Sequence, residues 1–125
     1  MIFGIGTDLV HLHSFRHSLK RNPNLWESFL SEEEREVWEL HQTKDRFLAR
    51  CFSAKEAYLK ALGCGIRKLI YLKEVTLKDN ERPQLIIRGT LNELVKKNNI
   101  TRNHLSFSET EECVFSTLIL EHKLA

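Results

Sequence analysis

The chain has 125 residues, which fits one domain and leaves little room for a second. Its hydrophobic fraction of 42% and charged fraction of 29% are ordinary for a soluble globular protein and exclude disorder as the default interpretation. The net charge of +2 is too small to indicate a nucleic-acid-binding protein, and no apolar stretch approaches the roughly twenty residues that a membrane span needs.

The cysteines and the amino terminus indicate a compartment. Cys51, Cys64 and Cys113 are an odd number without the Cys-x-x-Cys spacing of a zinc site, so we expect small buried side chains under reducing conditions. Residues 1–6 carry no basic region ahead of an apolar run, so they do not have the pattern of a signal peptide. These features predict a cytoplasmic protein.

Four elements are predicted in the first half of the chain. An apolar segment with two glycines predicts a strand over Ile2–Val10. Ser14 is the candidate cap of a short helix that runs to about Arg21. Ser31-x-x-Glu34 has the pattern of a capping box and predicts a helix to about His41. Thr43 is the candidate cap of a longer helix that ends at Gly63.

The second half changes to a pattern typical of strands. Two strands joined by a turn, a helix capped by Thr90 and two further strands are predicted over Glu74–Lys78, Gln84–Arg88, Thr90–Lys97, Arg102–Phe107 and Cys113–Leu120. This order predicts an α+β domain whose helices pack on one side of a small antiparallel sheet. The long helix that ends at Gly63 should lie against that sheet.

The long predicted helix has an apolar arc that contains a lysine. At about 100° per residue, one arc collects a core face, which consists of Phe47, Cys51, Ala54, Tyr58, Ala61 and Leu62. Lys55 falls inside this arc once Leu48 and Leu59 widen it. A buried ammonium needs an anionic partner, or its side chain must extend to solvent. The sequence leaves both alternatives open.

Two carboxylates are candidates for a metal site. Glu56 lies at the edge of the apolar arc, where it would by itself be expected to form a surface pair with Lys60. Asp8 ends the first strand, where it either caps the following turn or converges with Glu56. Convergence would create an oxygen-rich magnesium site of the kind that also uses substrate phosphates as ligands. The backbone at Gly63-Cys64-Gly65-Ile66 could approach such a ligand closely.

Charge is clustered near the amino terminus. A basic run precedes an acidic run, and these consist of Arg16, His17, Lys20 and Arg21, and of Glu32, Glu33, Glu34 and Glu36. Both runs are expected to be solvated helix faces. The alternative is that the basic run is a docking surface for an acidic partner.

Three groups of motifs follow one another along the chain: Gly4-Ile5-Gly6-Thr7-Asp8, then Phe52-Ser53-Ala54-Lys55-Glu56-Ala57 with Lys60 and Gly63-x-Gly65-Ile66, then His104-Leu105-Ser106-Phe107-Ser108. In this order and spacing the chain resembles the holo-acyl-carrier-protein synthases of the 4′-phosphopantetheinyl transferase family over nearly its whole length. The resemblance implies one transferase domain over residues 1–125. It also implies a homotrimer with active sites at the subunit boundaries.

The resemblance further implies a reaction. Asp8 and Glu56 would bind Mg²⁺ together with the pyrophosphate of coenzyme A, and Lys60 and Lys55 would hold phosphate oxygens. A carboxylate would take the proton from a serine hydroxyl of apo acyl carrier protein, giving the holo form and 3′,5′-ADP in support of fatty acid biosynthesis. The acidic carrier would dock on the basic run, at Arg16, Lys20 and Arg21.

One departure from the family pattern changes a charge. The family usually has Ser-His-Thr where this chain has Ser108-Glu109-Thr110, the triplet that would face coenzyme A phosphates. At about 4 Å from a phosphate charge and an effective dielectric of 20, a carboxylate would cost on the order of 4 kcal/mol. Glu109 is therefore expected either to point away, or to serve as a third magnesium ligand or as the base.

A second departure removes an arginine. The family often has arginine immediately before the aromatic residue at Phe52, where this chain has Cys51. Arg50, one position earlier, is rotated by about 100° and cannot simply substitute. Arg82-Pro83 keeps the basic-proline ending that would flank the adenosine of coenzyme A. The alternative function is a non-catalytic protein of the same fold that binds coenzyme A or a carrier protein.

Overall fold

The computed structural model describes residues 1–64 and 69–124 of the chain. In chain order, the elements are β1 (Ile2–His11), α1 (Leu12–Arg21), α2 (Glu32–Leu40), α3 (Lys44–Leu62), β2 (Val75–Lys78), β3 (Gln84–Ile87), α4 (Gly89–Lys97), β4 (Ile100–Glu109) and β5 (Cys113–His122). Two 3₁₀ helices, Leu25–Ser28 and Leu69–Glu74, lie between them. Within the described ranges, no helix is long and apolar enough to cross a membrane.

The strands form two antiparallel sheets. In the larger sheet the order is β1-β5-β4, so the first strand pairs with the last, and β2 and β3 form a separate hairpin. Helix α3 packs against β1 and β5 of the larger sheet. The predicted α+β class is confirmed. The separation of the middle hairpin was not predicted, because alternation along a strand identifies its faces but not its neighbours.

The core lies between α3 and the inner face of the larger sheet. All six residues predicted for the core face of α3 are buried. On β5 the buried positions alternate with partly exposed ones, as expected for a sheet with one covered face. The inward positions of β5 are Val114, Ser116, Leu118 and Leu120, and each is fully buried.

Two glycines allow β1 to approach α3 closely. A Cβ atom built on Gly4 would lie 2.0 Å from the carbonyl oxygen of Ala61, and one on Gly6 would lie 1.8 Å from the carbonyl oxygen of Ala57. A side chain at either position would therefore collide with helix backbone, which cannot rotate out of the way. The glycines hold the strand that carries Asp8 next to the helix that carries Glu56.

Replacing Gly6 with alanine is expected to lower the free energy of unfolding by about 1–3 kcal/mol, because strand and helix must separate to admit the methyl group. Equilibrium unfolding in urea at a fixed protein concentration measures this change. An unchanged unfolding midpoint would contradict the close approach of β1 to α3.

The ends of α2 and α3 follow the prediction. Ser31 and Glu34 form the complete capping box at the start of α2. Helix α3 begins at Lys44, although the Thr43 side chain makes no capping hydrogen bond. Gly63 ends α3 in the left-handed conformation, with φ of 88°, which glycine adopts without steric cost.

Two predicted caps are wrong. Helix α1 begins at Leu12, so Ser14 lies inside the helix and does not cap it. Helix α4 begins at Gly89, and the backbone N–H groups of Thr90 and Leu91 donate to the carboxylate of Glu74 at 2.6 and 3.2 Å. A carboxylate at the end of the second 3₁₀ helix therefore accepts hydrogen bonds from the free N–H groups of the first turn, and the Thr90 side chain is not required as a cap.

Candidate active site

Glu56 is a buried carboxylate without a hydrogen-bond partner. It projects from the middle of α3 and is 3% exposed, and neither carboxylate oxygen accepts a hydrogen bond from the described residues. Burial raises the pKa of Glu56, and the nearby charge of Asp8 raises it further, whereas Lys60 opposes the shift. Such an orphaned anion is costly in a folded protein unless a cation completes its surroundings.

Asp8 lies beside Glu56 and is held by two residues of α3, Lys60 and Ser53. Lys60 of α3 donates to the Asp8 carboxylate oxygen Oδ1 at 3.0 Å and to the carbonyl oxygen of Thr7 at 3.0 Å. The hydroxyl of Ser53 lies 3.2 Å from the Asp8 carbonyl oxygen and 2.7 Å from the hydroxyl of Ser116 on β5. The alternative of an exposed Glu56–Lys60 surface pair is therefore wrong, since Glu56 is buried and Lys60 bonds to β1.

The donor set at Asp8 and Glu56 fits a hard divalent cation. Magnesium is commonly bound through one or two carboxylates and completes its shell with water and substrate phosphates. Among residues 1–64 and 69–124, no group of three or more histidine, cysteine, aspartate or glutamate side chains could hold a metal. Within those ranges, a cation at this pair would therefore have two carboxylates as side-chain ligands and would complete its shell with other oxygen atoms.

Lys55 is a structural residue in this fold. Its side chain is fully buried, and its ammonium donates to Glu34 at 2.5 Å and to the carbonyl oxygen of Phe29. Burial lowers the pKa of Lys55, while Glu34 opposes that shift. The predicted contact between Lys55 and phosphate is wrong, because an ammonium in this position cannot reach a ligand. Of the two sequence alternatives, the anionic partner is the correct one.

Glu109 is separated from the Asp8–Glu56 pair within one chain. It lies at the end of β4, with β5 between β4 and β1, and it bonds to Arg46 at 3.2 Å and to Arg50. Arg50 also binds Asp79 with two hydrogen bonds. We call Arg46, Arg50, Asp79 and Glu109 the Arg50 cluster. The prediction that Glu109 is a third carboxylate beside Asp8 and Glu56 is wrong for residues of one chain.

The Arg50 cluster borders a cleft of about 600 Å³ between the β2–β3 turn and β4. Arg50, Arg82, Pro83, Phe107 and Glu109 are among its lining residues. Arg50 therefore reaches the cleft that contains the predicted adenosine-flanking pair, although it lies one helical position before Cys51. Cys51 is fully buried, and burial raises the pKa of its thiol well above the ordinary value.

Other predicted contact residues lie elsewhere. The hydroxyl of Thr110 accepts hydrogen bonds from the backbone of Glu112 and Cys113, so it closes the β4–β5 turn. Ser108 is exposed and does not line the cleft. Gly63 is exposed, with no atom within 4 Å of a Cβ built on it, and Gly65 lies outside the described residues.

The predicted basic docking run lies on α1. Lys20 and Arg21 are in its last turn, and Arg16 pairs with Asp45 of α3 at 3.4 Å while both side chains stay about half exposed. In the acidic run, by contrast, Glu34 is buried and Glu33 pairs with Lys78 and Arg88. The interpretation of the acidic run as an entirely solvated face is therefore wrong.

Sequence reasoning missed the partners of the predicted residues. Glu34 was identified as a capping residue and as part of the acidic run, and neither Arg46 nor Asp79 was singled out. The one available signal was the conflict of a lysine inside an apolar arc, which requires an anion but does not identify it.

Comparison with known proteins gives the family. Residues 4–115 match the model of the 4′-phosphopantetheinyl transferase superfamily. The chain is 39% identical over 125 residues to the holo-acyl-carrier-protein synthase of Dechloromonas aromatica (strain RCB), with 98% of this chain and 99% of that protein covered. It is 35% identical over 123 residues to the synthase of Aliivibrio fischeri (strain MJ11), with 96% and 98% covered.

Solved structures agree with this assignment. The holo-acyl-carrier-protein synthase of Neisseria meningitidis superposes with a TM-score of 0.90 at 29% identity, covering 97% of this chain and 99% of that one. The synthase of Bacillus anthracis str. Ames in complex with CoA (3′,5′-ADP) gives a TM-score of 0.79 at 31% identity, with 98% and 99% covered. The chain belongs to the 4′-phosphopantetheinyl transferase superfamily and is an enzyme of its holo-acyl-carrier-protein synthase family.

Proposed function

We propose that the chain transfers the 4′-phosphopantetheine group from coenzyme A to a serine of apo acyl carrier protein, giving 3′,5′-ADP and the holo carrier for fatty acid biosynthesis. The observation that carries this proposal is the orphaned Glu56 carboxylate beside Asp8 and Lys60. A protein that only binds its ligand has no need of a desolvated anion of this kind. The solved relative with bound CoA (3′,5′-ADP) supports coenzyme A as the donor.

Each residue of this site has a distinct role in the proposed reaction. Asp8 and Glu56 would hold Mg²⁺, which when bound neutralises charge on the pyrophosphate. Lys60 has a side chain that is 41% exposed, so its ammonium can reach a phosphate oxygen while it orients Asp8. A site carboxylate would accept the proton of the attacking serine hydroxyl, which requires the ionised form.

The basic side chains of α1 supply a surface for the acidic carrier protein. Lys20 and Arg21 belong to no ion pair among the described residues, and Arg16 has only a half-exposed pair with Asp45. Opposite charges on two partners accelerate their encounter, and salt weakens this attraction.

We also propose that residues 1–125 act as one domain in the cytoplasm, consistent with the three free cysteines.

We propose a homotrimer that uses the outer face of the larger sheet. Ile5 and Leu9 point away from α3 and are about 60% exposed, and they pair across β1–β5 with Ile119 and Phe115. A row of exposed apolar side chains on one sheet face is typical of an interface. Light scattering is expected to give three times the mass of 14.7 kDa per chain, and a monomeric mass would contradict the proposal.

The direct test is the intact mass of an apo acyl carrier protein after incubation with this protein, coenzyme A and Mg²⁺. We expect a gain of about 340 Da, the mass of one phosphopantetheine group, and no gain when EDTA is present. If several carriers gain no mass while coenzyme A still binds, the chain is a binding protein and transfer is excluded for those carriers.

A further inference from the structure

Arg50 is a cation whose charge is compensated on both sides. Its Nε and Nη2 atoms donate to the two carboxylate oxygens of Asp79, and its Nη1 atom donates to Glu109. Burial would lower the pKa of Arg50, but the two carboxylates outweigh burial and raise it, so the guanidinium remains charged. With Arg46 on Glu109, the Arg50 cluster balances two guanidinium groups with two carboxylates.

The guanidinium of Arg50 is also stacked. Its central carbon lies 4.1 Å from the ring centroid of Phe107, and both residues line the cleft. Three amide side chains line the same cleft, those of Asn80, Gln84 and Asn103. Planar guanidinium and aromatic groups present stacking faces to a nucleobase, and amides can bond to its polar edge.

Arg82 differs from Arg50 in the same cleft. It is exposed, and no ion pair links it to a carboxylate of the described residues. An anionic ligand group is therefore attracted to Arg82, whereas the charge of Arg50 is already balanced by Asp79 and Glu109. Of the two arginines that line the cleft, Arg82 is therefore the one available to a phosphate, and the stacked Arg50 is available to a neutral planar group.

We propose that Arg50, held flat by Asp79 and Glu109, contacts the adenine base of coenzyme A and not its 3′-phosphate, which Arg82 binds instead. Arg50 is then a specificity-determining residue, and Asp79 and Glu109 are positioning residues. The inference rests on the proposed function, because it takes coenzyme A as the ligand. It explains how a carboxylate at position 109 is compatible with a phosphorylated ligand, since the phosphate lies away from it.

Calorimetry with coenzyme A, 3′-dephospho-coenzyme A and 4′-phosphopantetheine, all with Mg²⁺, tests the inference. Arg50→Met is expected to weaken the binding of coenzyme A and of 3′-dephospho-coenzyme A by the same factor, about tenfold, because both ligands carry the adenine base. The same substitution should leave the affinity for 4′-phosphopantetheine unchanged, because this ligand has no adenosine. Arg82→Met is expected to weaken coenzyme A and to leave 3′-dephospho-coenzyme A nearly unchanged.

Two further variants separate this role from folding. Arg35→Met is a matched control, because Arg35 also has an ion pair, with Glu39, and an aromatic contact, with Trp26, but lies outside the cleft. It should leave all three affinities unchanged. Arg50→Lys keeps the charge but loses the plane, and it should weaken both adenosine ligands as Arg50→Met does.

The positioning role of Glu109 has its own readout. Glu109→Gln is expected to weaken coenzyme A and 3′-dephospho-coenzyme A by an equal factor of about three, without changing the magnesium concentration needed for half-maximal transfer. A changed magnesium requirement would identify Glu109 as a metal ligand and overturn the inference.

Three results with Arg50 would also overturn it. If Arg50→Met weakens coenzyme A but not 3′-dephospho-coenzyme A, Arg50 contacts the phosphate. If Arg50→Met changes neither affinity, or if Arg50→Lys retains both, the planar contact is absent. These results leave transfer itself intact, whereas an unsubstituted chain that fails to bind coenzyme A would overturn the proposed function as well.

Discussion

Replacing Glu56 with glutamine is expected to lower the rate of phosphopantetheine transfer at least about 100-fold, while the protein stays folded. The amide keeps the shape of the side chain but removes the negative charge of one of the two carboxylates, Asp8 and Glu56, that are proposed to bind Mg²⁺. Single-turnover transfer to an apo carrier protein, measured over a range of magnesium concentrations, tests this. The variant should also lose most of its response to magnesium.

The same substitution should have the opposite effect on stability without metal. Glu56 is desolvated and unpartnered, so its ionised form disfavours the folded state. Because its folded pKa lies above the ordinary value of 4.5, the free energy of unfolding should fall as pH rises from about 4.5 through the folded pKa. Glu56→Gln should lack this fall and should be as stable as the parent, or more stable, at neutral pH.

Glu93→Gln is the control for Glu56→Gln, since Glu93 is an exposed glutamate of α4. It should keep full transfer, full magnesium dependence and the pH dependence of the parent. Retention of transfer and magnesium dependence by Glu56→Gln would show that this carboxylate does not hold the metal. A large loss of stability in Glu56→Gln would instead show that Glu56 has a structural partner.

The fold followed from patterns that act locally. The alternation on β5, the capping box at Ser31 and the glycine at position 63 depend on neighbours within a few residues, and each was identified from the sequence. The predicted cap of α4 was wrong because the group that caps this helix, the Glu74 carboxylate, comes from another element. The sequence contained the required anion but no local pattern that links it to Thr90.

The site was predicted to the extent that it depends on residue type and order. Asp8 and Glu56 were paired through a family resemblance, and in the structure they lie close enough for the charge of Asp8 to raise the pKa of Glu56. Lys55 was misassigned because a lysine that directly follows or precedes Glu56 on a helix points about 100° away from it. Whether such a lysine faces ligand or core depends on a partner from a distant element, here Glu34 of α2.

Lys55→Met is expected to destabilise the protein by about 3–5 kcal/mol, the largest stability effect anticipated for this chain. The substitution leaves Glu34 as a fully buried carboxylate with neutral donors, which include the N–H groups of Ser31 and Leu77. These two hydrogen bonds do not replace the lost cation. Equilibrium unfolding at fixed protein concentration and pH 7 measures the loss, with the concentration held constant because assembly contributes to stability.

Two variants show whether the buried charge is the cause. Lys55→Met with Glu34→Gln should recover part of the loss, because the amide is neutral and its oxygen can still accept a backbone hydrogen bond. Lys78→Met breaks the exposed pair with Glu33 and should cost less than about 1 kcal/mol. A Lys55→Met variant no less stable than Lys78→Met would contradict the buried pair.

The affinity of Lys55→Met for coenzyme A is a separate test. If this variant stays folded but loses affinity for coenzyme A, then Lys55 reaches the ligand after all. Unchanged affinity in a destabilised variant is the result we expect, because the Lys55 ammonium is fully buried and is held by Glu34 and the carbonyl oxygen of Phe29.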